Sequence, residues 1–186
     1  MVDMPPQTQD ETLWIGRISA GDREAFEQLY FAYQRRLFGF LYRVLGETGA
    51  AEELVNDTML EVWKSAGRFR GESKPSTWIF GIAHHLLLNH VRKRKLDSVD
   101  LEKAQQVADS SVSPEQGAIH KGLQSEIRSA LGKLSAEHRA VVELTFYDGY
   151  SYEEIAGIVD CPVNTVKTRM FHAKKKLHDF LRGERQ

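Results

Sequence analysis

The stretch SYEEIAGIVDCPVNTVKTRMFHAKKKL, residues 151–177, carries the strongest local structural signals in the chain. Ser151 and Glu154 form an S-x-x-E capping box, which predicts that a helix begins at about Tyr152. Pro162 cannot continue that helix, but its fixed backbone angle suits the first turn of another one. The stretch is therefore predicted to form a short helix, a tight turn and a longer helix, which is the helix-turn-helix arrangement.

The longer helix of this pair has two different faces. Apolar residues recur at three- and four-residue steps and predict a buried stripe, made of Val163, Val166, Met170, Ala173 and Leu177. The opposite face is polar and basic, with Asn164, Thr165, Lys167, Thr168, Arg169, His172, Lys174, Lys175 and Lys176. A recognition helix places its polar residues against base edges and its basic residues against phosphates. The pattern favours DNA binding over the alternative, an amphipathic surface helix whose lysines are merely solvated.

The formal net charge of the 186 residues is -1, but the charges are segregated along the chain. Residues 161–186 contain seven Lys/Arg against two Asp/Glu, and residues 68–95 contain seven against one. Between these basic segments, residues 96–116 contain five Asp/Glu and one Lys. This distribution indicates two separate contacts with a polyanion, and ordinary surface charge is the alternative.

The overall pattern predicts an all-α protein, because no run alternates with the period of a β-strand. We expect residues 1–10 to be disordered and two small helical domains to follow, at 11–95 and 115–186. A flexible acidic linker at 96–114 is predicted to join them, since it ends in a Ser- and Pro-containing run. The expected helices cover residues 11–20, 22–44, 50–66, 76–94, 115–133, 135–146, 152–159 and 162–177.

Composition argues against several other classes of protein. Cys161 is the only cysteine, so neither a disulfide framework nor a Cys-based zinc site is expected. No secretory signal precedes the first helix, and the longest apolar run, residues 79–91, is too short and too rich in histidine for a membrane span. No phosphate-binding glycine loop or nucleophile motif occurs. We therefore expect a cytoplasmic protein that is not an enzyme and needs no cofactor.

A second segment combines basic, aromatic and small polar residues around a predicted loop. It reads RFRGESKPSTW at residues 68–78, and the helix that follows ends in NHVRKRK at residues 89–95. Proteins that hold single-stranded nucleic acid use basic side chains along the backbone and aromatic ones against bases, and each stacked base contributes roughly 1–3 kcal/mol. The alternative is that Phe69 and Trp78 belong to the core, and for Trp78 alone we favour the core.

An acidic helix precedes this segment. Its outer face carries Glu53, Asn56, Asp57 and Glu61. An acidic stripe does not help DNA binding, so we interpret it either as a docking face for a protein partner or as plain solvation. The spacing alone leaves both possibilities open.

Taken together, these segments resemble the extracytoplasmic-function (ECF) sigma factors, the small two-domain branch of the bacterial sigma-70 family. The sequences AEELVNDT at residues 51–58, RFRGES at 68–73 and TWI at 77–79 are similar to the core-binding and promoter-melting segments of the family. Residues 134–177, with EIA at 154–156 and TVKTR at 165–169, are similar to its minus-35-binding domain. The resemblance covers about residues 20–95 and 120–180.

The resemblance implies a role for each segment. The acidic helix would dock on the β′ clamp helices of core RNA polymerase through Glu53, Asn56, Asp57 and Glu61, and the second domain would sit on the β flap. Minus-35 DNA would be bound by Asn164, Thr165, Lys167, Thr168, Arg169, His172 and Lys174. Flipped bases of the minus-10 strand would be captured by Phe69, Arg70, Ser73, Lys74, Trp78, His85, Asn89 and Arg92. An anti-sigma factor is an expected further partner.

Some positions differ from the usual family pattern. Histidines occupy 84 and 85 where Arg-Asn is common, Asn89 replaces a common Asp, and His172 stands where an arginine is frequent. A histidine carries only part of a charge near neutral pH, so we expect a weaker contact from His172.

Two other functions compete with this interpretation. A helix-turn-helix regulator would bind duplex DNA without polymerase, but this interpretation assigns no function to the basic segment at 68–95. A metal site built on His84, His85 and His90 is disfavoured, because the last two are five residues apart and share no helical face.

Overall fold

The computed structural model describes residues 8–101 and 129–183, and within these ranges the chain is all-α with no β-strand, as predicted. The helices are α1 (Thr8–Ser19), α2 (Arg23–Leu45), α3 (Thr48–Ser65), α4 (Pro75–Leu101), α5 (Ala136–Phe146), α6 (Tyr152–Ile158) and α7 (Val163–Gly183), with a turn of 3-10 helix at Ala66–Arg68 after α3. Residues 129–132 are also helical.

Local sequence signals explain where α2 begins and ends. The Asp22 carboxylate accepts hydrogen bonds from the backbone N–H groups of Glu24 (3.0 Å) and Ala25 (3.1 Å), which have no partner inside the helix. At the other end Gly46 adopts a left-handed conformation, with φ of 78°, and its N–H donates to the Tyr42 carbonyl. A residue with a Cβ would be strained there, so the glycine ends the helix.

The capping box predicted in the second half is present in both directions. The Glu154 N–H donates to Ser151 Oγ (3.2 Å), and the Ser151 N–H donates to Glu154 Oε2 (2.9 Å). These two bonds fix the start of α6 at Tyr152. The turn between α6 and α7 contains Asp160 at a φ of 47°, a conformation that aspartate tolerates better than most residues. The helix-turn-helix prediction is thus confirmed in its local geometry.

Three helices extend beyond their predicted bounds by three residues or more. α1 begins at Thr8, so residues 8–10 are helical and not disordered as expected, and α7 ends at Gly183 instead of residue 177. The largest difference is in α4. α4 was expected to run from residue 76 to about 94, and it runs from Pro75 to Leu101. Proline is favourable in a first helical turn, so the helix begins on it. The basic run at residues 92–95 continues the helix instead of ending it, because lysine and arginine are good helix formers. The rest of the predicted linker, the expected disordered N-terminus up to residue 7 and most of the predicted helix at 115–133 lie outside the described residues.

The hydrophobic core is continuous between the two halves. Within the first half, fully buried side chains such as Tyr33, Phe40 and Met59 lie between α2, α3 and α4. The Phe80 ring of α4 contacts Phe40 of α2 at 5.6 Å and Tyr150 of the second half at 5.4 Å, measured between ring centroids. The sequence suggested that each half could form its own core. The structure instead joins them in one cluster, in which α5 packs on α2 and α6 packs on α4.

The capping box generates a stability prediction. Replacing Ser151 with alanine leaves the Glu154 N–H without its partner, and we expect the free energy of unfolding to fall by about 1 kcal/mol. Chemical denaturation followed by circular dichroism measures this change. Ser19→Ala is a matched control, because its hydroxyl donates to the Gly16 carbonyl at an exposed helix end, and its effect should stay within about 0.5 kcal/mol. An equal loss in both variants would contradict the capping role.

Candidate nucleic-acid interface

The polar face of α7, the recognition helix, is largely open to solvent. Exposed side chains on it include Asn164, Lys167, Thr168, His172 and Lys174, whereas Thr165 and Arg169 are half-buried. The opposite stripe is buried as predicted, with Val166, Met170 and Ala173 at most 2% exposed. The burial of that stripe against α5 and α6 fixes the direction in which the polar face points. The helix therefore presents hydrogen-bonding and basic groups on one side, as contact with DNA requires.

Arg169 differs from its exposed neighbours on α7 because it is half-buried. Its charge lies close enough to act on His84 of α4 and on Glu137 and His138 of α5. The sequence placed Arg169 among the DNA-contacting residues. In the structure Arg169 is half-buried, and the groups on which its charge acts belong to α4 and α5, where the two halves of the protein meet.

His84 is buried at that junction. Its side chain is 4% exposed, and its Nε2 atom has no hydrogen-bond partner. Burial disfavours the charged imidazolium and lowers the pKa of His84 from 6.5 to about 4; the Arg169 charge acts in the same direction, and Glu137 opposes it. His84 is therefore a neutral packing residue in this arrangement.

The basic loop, residues 69–75, connects the 3-10 turn to α4. Phe69 and Trp78 are both partly buried, and their ring centroids lie 5.1 Å apart. The preference for Trp78 in the core is therefore correct only in part, because one side of the indole stays accessible. Arg70 and Ser73 are exposed, and Lys74 Nζ donates to Glu154 Oε1 of α6 at 2.6 Å. Lys74, which was predicted to bind the minus-10 DNA strand, is thus paired with a residue of the helix-turn-helix.

The middle turns of α4 carry further predicted contacts on their outer face. His85, Asn89 and Arg92 are exposed at three- and four-residue steps, so they lie along one side of the helix. Asn89 Nδ2 lies 3.4 Å from the His85 ring nitrogens. The structure brings these three residues together in a single row and leaves His84, one position away, in the core.

The acidic face of α3 is also exposed. Glu53, Asn56 and Asp57 are open to solvent, while Glu61 is half-buried and accepts from Arg68 at 3.3 Å. Asn56 Oδ1 accepts from the Tyr30 hydroxyl at 3.2 Å, which links this face to α2. A shallow groove between α2 and α3 lies beside it, lined by Tyr30, Gln34, Arg35, Phe38, Glu52, Val55 and Asn56.

Several large apolar side chains that the sequence pattern did not single out are exposed in the structure. Phe31 and Leu60 lie near the acidic face and are 62% and 49% exposed, and Phe171 on the recognition helix is 65% exposed. A helical-wheel count could have found Phe171, because it lies outside the apolar stripe of α7. Phe31 lies among the aromatic residues Phe26, Tyr30 and Tyr33, and periodicity alone does not show which of these side chains are exposed.

The predicted minus-10 surface borders a cleft between α4 and the end of α6. Trp78 and His85 of α4 line one wall, and Gly157 and Asp160 line the other. α4 and α6 approach closely, since a Cβ added to Gly157 would lie 3.1 Å from Thr77 Cγ2. The acidic face of α3 is a separate surface.

Across the described ranges 8–101 and 129–183, no group of three or more His, Cys, Asp or Glu side chains is placed to hold a metal ion. No helix in the same ranges is long and apolar enough to cross a membrane.

Comparison with known protein families matches both halves of the chain. Residues 29–96 match Sigma-70 region 2, and residues 124–177 match Sigma-70, region 4. The chain is 30% identical over 177 residues to the ECF RNA polymerase sigma factor SigW of Bacillus subtilis, which covers 90% of this chain and 95% of that protein. It is 27% identical over 183 residues to the RNA polymerase sigma-H factor of Pseudomonas aeruginosa, with 94% of each chain covered.

Solved structures give the same result. The sigma factor RpoE of Bartonella quintana, crystallised with the anti-sigma factor NepR, superposes with a TM-score of 0.70 at 27% identity, over 84% of this chain and 96% of that one. CnrH, solved with the cytosolic domain of CnrY, superposes with a TM-score of 0.66 at 24% identity, over 94% of this chain and 98% of that one. The second likeness supports the fold alone.

The burial of His84 leads to a pH prediction. In the native protein we expect the His84 ring to stay neutral until the pH approaches about 4, whereas in urea-unfolded protein it should titrate near 6.5. Burial lowers the pKa of His84 in the native protein relative to the unfolded chain. The free energy of unfolding is therefore unaffected by this ring above pH 6.5 and decreases as the pH falls from 6.5 toward 4. Ring-proton NMR of selectively labelled histidine measures both titrations. A native midpoint near 6.5 would contradict the buried position.

Proposed function

The chain belongs to the ECF sigma factors of the sigma-70 family, and we propose how its surfaces perform the function of that family, which is to bind core RNA polymerase and direct transcription initiation at specific promoters. The observation that carries the proposal is the presence of an acidic face, a basic aromatic loop and a recognition helix in one chain and in that order. No bond is made or broken in this function, so the protein acts by binding and not as an enzyme. Its place of action is the cytoplasm, where polymerase meets promoter DNA.

The recognition helix α7 is proposed to read the minus-35 element. Its exposed Asn164 and Thr168 supply hydrogen-bonding groups, and Lys167 and Lys174 supply charges for phosphates. Thr165 and Arg169 would join them, with His172 on the same face. The exposed Phe171 ring is added to this set, because an apolar side chain can contact a thymine methyl group in the major groove.

The basic loop and the outer row of α4 are proposed to hold the melted minus-10 strand. Arg70, Ser73 and Lys74 lie on the loop, and His85, Asn89 and Arg92 continue along the helix. Phe69 and the accessible side of Trp78 are close enough to border one pocket for a flipped base. Opening the duplex costs roughly 1.4 kcal/mol of stacking free energy per base step, which base capture and polymerase contacts offset.

The acidic face of α3 is proposed to dock on the β′ clamp helices of the polymerase. Glu53 and Asp57 are exposed and carry the negative charge, and the exposed Phe31 and Leu60 add apolar area beside them. Interfaces of this kind combine an apolar centre with a polar rim. The second half would contact the β flap. In domain terms, we assign residues 11–95 to core binding and minus-10 recognition, 96–114 to the linker and 115–186 to minus-35 recognition.

An anti-sigma factor is proposed as a regulatory partner. The Bartonella quintana structure contains such a partner, and this chain matches that sigma factor over both halves. The regulator would act by preventing the surfaces described above from reaching polymerase and DNA.

The function is tested by transcription in vitro with purified core polymerase and a library of promoter fragments. We expect sequence-specific initiation that depends on both proteins. Tight promoter binding by the isolated chain, without initiation when core polymerase is added, would instead favour a conventional helix-turn-helix regulator.

Lys167 provides a test of minus-35 reading. Lys167→Ala removes one exposed cation from the recognition helix, and we expect promoter affinity of the polymerase complex to fall about 5- to 100-fold, as loss of one good DNA contact does. Core binding should persist. Arg182→Ala is the matched control, since it lies on the same helix about 22 Å further along the axis, at 1.5 Å per residue. Equal losses in the two variants would show that the effect is only general charge.

Asp57 provides the opposite test. Asp57→Arg reverses the charge and places a cation in the acidic face. We expect affinity for core polymerase to fall at least tenfold, because the new cation would oppose the basic groups that an acidic docking face pairs with. Asp10→Arg, at an exposed position of α1, serves as the control. Binding to core is measured by fluorescence anisotropy of labelled chain. Unchanged affinity in Asp57→Arg would remove this residue from the docking surface.

A further inference from the structure

A cavity of about 450 Å³ lies between the end of α2, the second half of α4 and the start of α5. Cavities that hold small molecules in proteins measure roughly 300–1,000 Å³. We propose that this cavity binds a small amphipathic anion, with a phosphate or carboxylate head beside Arg139 and an apolar body against α2 and α4. The inference goes beyond the proposed function, since none of the lining residues is among those assigned above to DNA or polymerase.

Part of the cavity wall is apolar. Val44 and Leu45 lie at the end of α2, Val91 lies on α4, and Leu134 lies just ahead of α5. All four side chains belong to the hydrophobic core or pack against it. An apolar group in the cavity would take the remaining accessible surface of this wall out of water, which favours binding. The wall therefore favours a ligand with an apolar body over an inorganic ion.

Three basic side chains also line the cavity, namely Arg94, Lys95 and Arg139, and no Asp or Glu of the described residues joins them. Two of these cations have a carboxylate nearby. Arg94 Nη1 donates to Glu47 Oε2 at 2.7 Å, and the charge of Lys95 acts on Glu137. The third cation is in a different situation.

Arg139 is half-buried, and its Nε atom has no hydrogen-bond partner among the described residues. Burial disfavours the charged guanidinium and lowers the pKa of Arg139, while the Glu143 carboxylate acts in the opposite direction. That carboxylate is already engaged, because Glu143 Oε2 accepts from Arg43 Nε at 2.7 Å. Burying a cation without a counter-ion of its own is unfavourable. An anion in the cavity would supply the missing charge.

The guanidinium group decides the class of the head group. It can donate two parallel hydrogen bonds to a carboxylate or a phosphate, and charge-assisted bonds of this kind are roughly twice as strong as neutral ones. A neutral hydrocarbon would leave Arg139 uncompensated, and inorganic phosphate would leave the apolar wall in contact with water. A molecule that joins an anionic head to an apolar body satisfies both parts of the cavity.

NMR titration of the isolated, ¹⁵N-labelled chain tests the cavity with defined probes. Phenyl phosphate and benzoate carry the two head groups on the same kind of ring, inorganic phosphate lacks the ring, and phenol lacks the charge. The amide signals of Gly132 and Ala136, which line the cavity, report binding. We expect saturable shifts with at least one aromatic anion, at an affinity roughly tenfold or more above that of inorganic phosphate and of phenol. The tighter of the two anions identifies the head group.

Two results of this titration would overturn the proposal. One is the absence of saturable shifts at Gly132 and Ala136 with both aromatic anions. The other is equal affinity for inorganic phosphate or for phenol, which would mean that the cavity does not recognise the combination of head and body.

Arg139→Gln tests the counter-ion. The variant removes the charge and keeps a polar side chain, and we expect the affinity for the tighter aromatic anion to fall about 10- to 100-fold, as loss of a hydrogen bond between charged groups does. Arg23→Gln, exposed at the start of α2, removes the same charge elsewhere and should bind as the wild type does. Equal losses in the two variants would show attraction to net charge alone and would contradict the assignment of Arg139.

Ala136→Leu tests the cavity while every charge is kept. Ala136 is half-buried and lines the cavity, so a leucine side chain there would fill part of its volume. We expect the saturable shift at Gly132 to be lost, and unchanged binding would place the anion elsewhere. Circular dichroism checks that each variant is folded, and if Arg139→Gln is not, Ala136→Leu and the probe comparison decide. None of these measurements uses polymerase or DNA, so their outcome is separate from that of the transcription test.

Discussion

The Phe80 ring lies where the two halves of the protein meet, and the positions of the other contacts depend on it. It packs on Phe40 from the first half and on Tyr150 from the second, and the Arg36 guanidinium covers it at 5.3 Å. A large aromatic ring buried from both sides sets how closely the flanking helices approach. The packing of Phe80 therefore contributes to the distance between α4 and the second half, and with it to the cleft between α4 and the end of α6.

Local structure was predictable because local interactions decide it. Asp22, Ser151 and Gly46 act on backbone groups within one turn of themselves, so the sequence alone locates the helix ends near them. The buried stripe of α7 was equally predictable, since Val166, Met170 and Ala173 follow a helical period. The end of α4 was harder, because a basic run is compatible both with a helix and with its termination.

The arrangement between the halves could not be predicted from periodicity. Arg43 and Glu143 are charged residues 100 positions apart, and a charge in an amphipathic pattern is normally assigned to the solvent. Their burial results from a tertiary contact that no local signal encodes. The same limit applies to Arg169, which the helical pattern places on the polar face of α7 and which is half-buried in the structure, and to His84, whose burial no local signal marked. The family resemblance supplied roles for these positions but not their surroundings in the isolated chain.

The absence of a side chain at Gly157 has a consequence for how the protein can change. An alanine there would favour the helix, by about 1 kcal/mol relative to glycine, since helix interiors disfavour glycine. The same methyl group would press on Thr77 Cγ2 at 3.1 Å and act as a wedge between α4 and α6. Helix stability therefore favours alanine at position 157, whereas the contact between the two halves favours glycine. A single carbon atom can shift the balance between them without altering any residue proposed to contact DNA or polymerase.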